Sequence, residues 1–163
     1  MYVLDVEASG LSDHSYPIEI AWQHRFNPTL RDAFLIRPTT GWTHWDLYAE
    51  QYVHRISREQ LQVEGIDAVS ASQRLNEQLA GQVVYSDHAD KDRFWISRLF
   101  DAANLAPQFE IRSVYSLLPP EKEMSFSMKL GSSPTEHRAL ADVRAIINIL
   151  NFYAPADAGQ SRE

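Results

Sequence analysis

The chain opens Tyr2-Val3-Leu4-Asp5-Val6-Glu7-Ala8-Ser9-Gly10-Leu11. An apolar run carries two carboxylates one residue apart and then breaks at a glycine. In a strand, residues i and i+2 share a face, so Asp5 and Glu7 project together. Two parallel carboxylates in a buried strand need positive charge between them. A divalent cation with oxygen ligands supplies it, and magnesium or manganese suits such ligands best. An edge strand whose outer face is acidic accounts for the same residues. Both readings stay open on this stretch alone.

With 163 residues, 44% of them hydrophobic, the sequence is long enough for one domain with a real core and short for two. It contains no cysteine, which excludes a disulfide framework, a thiolate nucleophile and a cysteine zinc site. No basic segment followed by an apolar one opens the chain, and no run approaches the roughly 18 to 20 apolar residues of a membrane span. The expectation is a soluble, cytoplasmic protein. The net charge of −7 argues against a high-affinity, sequence-blind binder of long nucleic acid. It leaves room for an enzyme acting at a chain end, because a carboxylate cluster is part of that acidity and bound metal reverses the local sign. The cations are mostly arginine, the residue suited to forked phosphate contacts.

Ser9 to Asp13 reads as a turn. Pro17 to Phe26 alternates into a second strand, with Ile18, Ile20 and Trp22 on one face and Glu19 and Ala21 on the other. Asn27-Pro28 is expected to turn the chain into a third strand over Ala33 to Arg37. A short helix is expected around Trp45 to Gln51, and Ser57-Arg58-Glu59-Gln60 has the spacing of a capping box. A helix from Ala71 to Leu79 stops at Gly81. Val83 to Ser86 is a short buried strand, and Asp90 to Ala103 is amphipathic through Phe94, Ile96, Leu99 and Phe100. Phe109 to Val114 reads as a strand, followed by a helical turn to Leu118. Glu121 to Ser133 is polar and poorly periodic, hence a loop. Ser133-Pro134-Thr135-Glu136 joins a capping box to a proline at the first helical position, opening a last helix through about Phe152. The expected architecture is a mixed α/β sheet in one domain over residues 1–153, with a disordered tail over 154–163.

Acid gathers at two further places. Ser86-Asp87-His88-Ala89-Asp90-Lys91-Asp92 follows a buried strand, where ligands of α/β sheets collect. An aspartate capping the next helix, with a polar first turn, accounts for part of it. The other place is His137-Arg138-Ala139-Leu140-Ala141-Asp142. A histidine in a first helical turn is commonly a surface residue. Asp142 falls deep in an amphipathic helix, with the small Ala139 a turn earlier. His137 and Asp142 lie about 140° apart around an ideal helix, so they converge only if the histidine reaches across from the opening turn or its loop.

Asp5-Val6-Glu7 with Ser9-Gly10-Leu11, then Asp92, then His137 and Asp142 as H-x-x-x-x-D, resemble the three motifs of the DEDDh, or DnaQ-like, 3′–5′ exonucleases. Tyr52-Val53-His54-Arg55-Ile56-Ser57-Arg58-Glu59-Gln60-Leu61 resembles that family's H-G-I-x-x-E-x-L stretch, and Glu19 matches a glutamate common on its second strand. The resemblance spans residues 1 to 153. It departs at the second motif, commonly H-N-x-x-F-D. Asp87 stands there in place of asparagine and Lys91 in place of phenylalanine, so Asp87 and Asp90 rival Asp92. Arg55 stands where glycine is common, and Ala8 where threonine is frequent.

The resemblance implies an RNase H-like fold, a mixed five-stranded sheet flanked by helices, and a nuclease using two divalent cations, Mg2+ or Mn2+. Asp5 would bridge both ions, Glu7 and Asp142 would ligate the first, and Asp92 would hold the second through water. His137 would be the general base. Ala8, Ser9, Gly10 and Leu11 would lie against the terminal nucleotide, with Leu11 as a wedge between bases and His54 as a further substrate contact. Substrates would be single-stranded DNA or RNA 3′ ends, released as nucleoside 5′-monophosphates. Two alternatives stand: a hydrolase of dinucleotides or very short oligonucleotides, and a family member that binds nucleic acid or protein without cutting. Trp42, Trp45, Tyr48 and Tyr52 suit base stacking, core packing or, if exposed, a homodimer surface.

Overall fold

Strand β1 (Tyr2–Ala8) sends Leu4, Val6 and Ala8 into one apolar cluster and Val3 into another, so both of its faces are covered. The computed structural model describes residues 1–134 and 136–155. Strand β2 (Pro17–His24) pairs antiparallel with β1, setting Glu7 opposite Glu19 and Asp5 opposite Ala21. Strands β3 (Asn27–Leu35), β4 (Val83–Ser86) and β5 (Glu110–Ser113) complete a five-stranded sheet in the order β3-β2-β1-β4-β5. β4 runs parallel to both β1 and β5. The carboxylate-bearing strand is therefore central, and the acidic-edge reading of Asp5 and Glu7 falls.

The helices follow as α1 (Arg58–Glu64), α2 (Ala68–Leu79), α3 (Ala89–Ala103), α4 (Pro120–Ser132) and α5 (Ala139–Tyr153), with a π-helical turn at Ala49–Val53 and a 3-10 turn at Val114–Leu117. Leu75 and Leu79 of α2 and Trp95, Ile96, Leu99 and Phe100 of α3 pack with Leu4, Ile18, Ile20 and Trp22 on one face of the sheet. Phe126 of α4 and Val143, Ile146 and Leu150 of α5 pack with Val3 and Ala21 on the other. The mixed sheet expected from the sequence is the observed one. The Ser57 hydroxyl accepts from the Gln60 amide, as the capping box requires, and Asp67 does the same for the Ser70 amide. Among the described residues, no helix is long and apolar enough to cross a membrane.

Three local expectations need correction. The turn into β3 falls at Arg25 and Phe26, not at Asn27-Pro28. The Arg25 guanidinium is buried and donates to Asn151 Oδ1 and to the Leu150 and Ala154 carbonyls, which draws the chain round early. Pro28 is tolerated because β3 is an edge strand. Most of Glu121 to Ser133, expected as a loop, belongs to α4: Pro120 occupies the first helical turn, Glu121 and Glu123 favour the positive end and Lys129 the negative one. Phe126 is its one fully buried side chain, so no apolar period announces it.

The last helix begins at Ala139, not at Ser133, which instead ends α4 by donating its amide to the Leu130 carbonyl. Thr135, part of the expected capping box, lies outside the described residues, as do residues 156–163 of the tail expected over 154–163. The true cap comes from far away in sequence. Glu19 on β2 accepts from the Ala139 amide at 3.0 Å and from the Arg138 guanidinium at 2.7 to 3.2 Å.

Candidate active site

Asp5 and Glu7 leave the same face of β1, toward α5. Glu19 leaves β2 beside Glu7, but Arg138 and the start of α5 neutralise it. Among the described residues Glu7 has no ion pair, and Arg138 offsets its acidic neighbours only in part. Burial, then the nearby Asp142 and Glu19 carboxylates, pushes Glu7 up to about 8. Burial, then Asp92, Glu7, Asp87 and Asp142, raises Asp5 well above the usual carboxylate range. Burial also carries Asp142 to about 6, against the opposing pull of His137.

β4 runs parallel beside β1 and ends at Ser86, delivering the turn at Asp87-His88 and the first turn of α3 to the carboxyl end of β1. Exposure sets Asp90 apart from its two rivals within Ser86 to Asp92. The Asp90 side chain is 97% exposed and pairs with Arg93. Asp92 is 1% exposed, accepts from the Ser86 hydroxyl and is raised by burial to about 7. Asp87 also faces inward, its Oδ2 3.0 Å from His88 Nδ1.

His137 meets the geometric condition by standing outside the helix. Its φ of +47° is a left-handed turn, a conformation that costs a non-glycine residue roughly 1 kcal/mol. Arg138 and Ala139, fixed by Glu19, hold that turn in place. Donor atoms of Glu7, His137 and Asp142 lie within 4.8 Å of one another. Asp5, Glu7, Asp92, His137 and Asp142 all line one cavity of about 580 Å³. Asp5 Oδ2, Asp87 Oδ1 and Asp142 Oδ1 are buried there without a hydrogen-bond partner. Orphaned carboxylate oxygens in a pocket rich in acid, with the imidazoles of His88 and His137 beside them, are a donor set that a hard divalent cation takes.

The remaining expected contacts divide. Ala8 and Ser9 are buried, and Ser9 is used internally: its amide and carbonyl bond Tyr16 and Asp46, and its hydroxyl lies 3.2 Å from His44 Nδ1. Gly10 has φ +148°, and a Cβ there would lie 2.6 Å from His44 Cε1, so the turn needs glycine. Leu11 is 75% exposed at the cavity's rim. His54 is buried and lines a second cavity of about 620 Å³ together with the exposed Arg55 and His137 and the half-buried Arg138. The Ile56 amide donates to His54 Nδ1, leaving Nε2 buried without a partner. Arg55 has φ +57°, which explains why glycine suits that position in the resembling stretch. Trp42 stacks on Tyr16 in the core, whereas Tyr48 and Tyr52 are exposed and touch each other, ring centroids 5.1 Å apart.

Similar architecture occurs in solved structures of exonuclease I. An Escherichia coli exonuclease I complex with a 5cy-dA13 oligonucleotide matches with TM-score 0.69 and 14% identity over 95% of this chain and 41% of that one. The zinc-bound form of the E. coli exonuclease I–ssDNA complex matches with TM-score 0.66 and 14% identity, over 95% and 41%. A moderately thermophilic exonuclease I from Methylocaldum szegediense matches with TM-score 0.65 and 14% identity, over 95% and 41%. The fold is RNase H-like. The chain thus spans about two-fifths of the length of the exonuclease I chains it matches. No protein-family model matches it, and no curated protein does.

Within this RNase H-like sheet, sequence reasoning overlooked two residues that shape the site. Arg138 is flanked by the residues that drew notice, but its partner Glu19 is 119 positions away. Lys91 lines the cavity and donates to the Leu11 carbonyl at 3.3 Å, tying α3 to the rim of the first turn. Neither bond has a local sequence signal.

Proposed function

We propose that the chain is a metal-dependent 3′–5′ exonuclease that hydrolyses single-stranded nucleic acid to nucleoside 5′-monophosphates. One observation carries the reading. Four acidic side chains and a histidine, drawn from β1, α3, α5 and the turn before α5, converge on one cavity at the carboxyl end of the central strand. The likeness in fold to proteins solved as exonuclease I with single-stranded DNA, one of them zinc-bound, supports it.

Asp5, Glu7, Asp92 and Asp142 would hold two divalent cations, Mg2+ or Mn2+. Bound there, such ions neutralise the phosphate's charge and activate water. His137 takes a proton from the attacking water at an imidazole nitrogen. The water oxygen bonds to phosphorus as the bond to the 3′ oxygen of the preceding nucleotide breaks, and that oxygen is protonated. Gly10 and Leu11 contact the terminal nucleotide, Leu11 as a wedge against the bases, while Ala8 and Ser9 hold the turn that presents them. His54, its Nδ1 already engaged, offers Nε2–H to an oxygen of the terminal nucleotide. Tyr52, which lines the second cavity with His137, would stack a base.

The test is digestion of 5′-labelled single-stranded DNA and RNA of one sequence, and of dinucleotides, with Mn2+ or with chelator. A metal-dependent ladder shrinking from the 3′ end, lost in His137→Ala and Asp142→Ala, is the expected result. Cleavage confined to dinucleotides would narrow the substrate to very short oligomers. Intact substrates at high enzyme with Mn2+ present would overturn the reading.

A further inference from the structure

We propose that Asp87 is an additional cation-holding carboxylate of this site, one carboxylate more than the motif it resembles supplies. The inference rests on the exonuclease reading, in whose motif asparagine is common at this position.

Asp87 ends the path of β4 and precedes α3, and its side chain is 11% exposed. It lines the same cavity as Asp5, Glu7, Asp92 and Asp142. Its Oδ2 is held 3.0 Å from His88 Nδ1, which fixes the carboxylate plane. Its Oδ1 is buried with no hydrogen-bond partner. A buried carboxylate oxygen without a donor is costly, and a cation removes that cost.

Helix capping is the plain structural use for an aspartate in this position, and the bonds around it point elsewhere. The His88 amide donates to the Ser86 hydroxyl, and the Lys91 and Asp92 amides donate to the His88 carbonyl. Among the described residues, no amide in that turn is assigned to Asp87. Its charge is felt at Asp5, Asp92 and Asp142, raising all three carboxyls. Asparagine would keep the shape and hydrogen-bonding reach of the side chain but remove that charge. With it would go one anionic oxygen facing the ion. Asp90, three residues on, is exposed and paired with Arg93, and so serves as a control.

The experiment is calorimetric titration of Mn2+ into the full chain without nucleic acid, paired with melting curves in chelator. Asp87→Asn is expected to weaken Mn2+ binding about 10- to 100-fold, the range seen when groups supporting a metal site are removed. In chelator its melting temperature should equal or exceed the parent's, because a like charge has left the cluster. Asp90→Asn should bind as the parent does. Asp87→Ser, which also lacks the charge, takes the same titration should Asp87→Asn lack a folded baseline. Parent-like Mn2+ affinity in the folded variant would overturn the inference while leaving the exonuclease reading intact. A parent chain that binds no Mn2+ would overturn both.

Discussion

Replacing Glu7 with glutamine removes one charge from the cavity and keeps the side chain's shape, which isolates what that charge costs the metal-free fold. Glu7 lies at about 8 in the folded chain, against an ordinary value of 4.5. The folded state therefore holds a proton that the unfolded state has released, and unfolding releases protons throughout that window. Stability then falls as pH rises from 4.5 toward 8, the reverse of the usual behaviour of a salt-bridged carboxylate. Burial gives His54 and His24 lowered values, which make stability rise with pH below their unfolded value of 6.5, so that opposing contribution is absent above it. From pH 6.5 to 8 one such carboxyl loses roughly 2 kcal/mol. For a chain of this size that is about 4 to 8 °C in melting temperature. The assay is melting temperature against pH in chelator for the parent and Glu7→Gln. The difference between the two curves cancels the groups that Glu7 does not influence, the N-terminal amine included, and keeps the response of Asp5, which Glu7 raises. The parent should fall more steeply by that amount, and saturating Mn2+ should abolish the fall. Parallel curves for the two proteins in chelator would refute the reasoning.

Arg138→Ala should strand the buried Glu19 charge and free the start of α5, costing roughly 3 kcal/mol in a urea melt. Arg138→Lys should recover only part, because the bidentate grip is lost. Gly65→Ala should be severely destabilising, since a Cβ there would sit 2.4 Å from the Leu61 carbonyl oxygen and 2.6 Å from the Arg37 amide nitrogen. Gly131→Ala, in α4 with open space around it, should raise stability by about 0.5 to 1 kcal/mol, read from the same melts. Asp92→Asn should lower release of nucleotides from labelled single-stranded DNA by at least about 100-fold, whereas Asp90→Asn should leave the rate within twofold.

The sequence carried those parts of the fold whose signals are local. The two faces of β2, the stripe on α3 and the Ser57 cap all follow from period and spacing, and they recur in the structure. The turn at Arg25 and the opening of α5 were hidden because each is set by a partner more than 100 residues away. α4 was hidden because a helix burying one phenylalanine leaves no stripe to read. At the site, the pairing of Asp5 with Glu7 needed only the alternation of a strand. Setting Asp90 apart from Asp87 and Asp92 needed exposure, which spacing does not encode. His137 needed a left-handed backbone turn, which no residue before it announces.

The bond from Glu19 to Arg138 and Ala139 also sets an order of events. The strands bearing Asp5, Glu7 and Glu19 pair through a near-neighbour hairpin, but the site's last members arrive only when α5 docks from the far end of the domain. Closing so long a loop is slow, so it comes late in folding. Until then the carboxylates of β1 remain open to water, and the full mutual repulsion is assembled only after most of the core exists to resist it. A nascent or truncated chain lacking α5 would have none of the completed pocket.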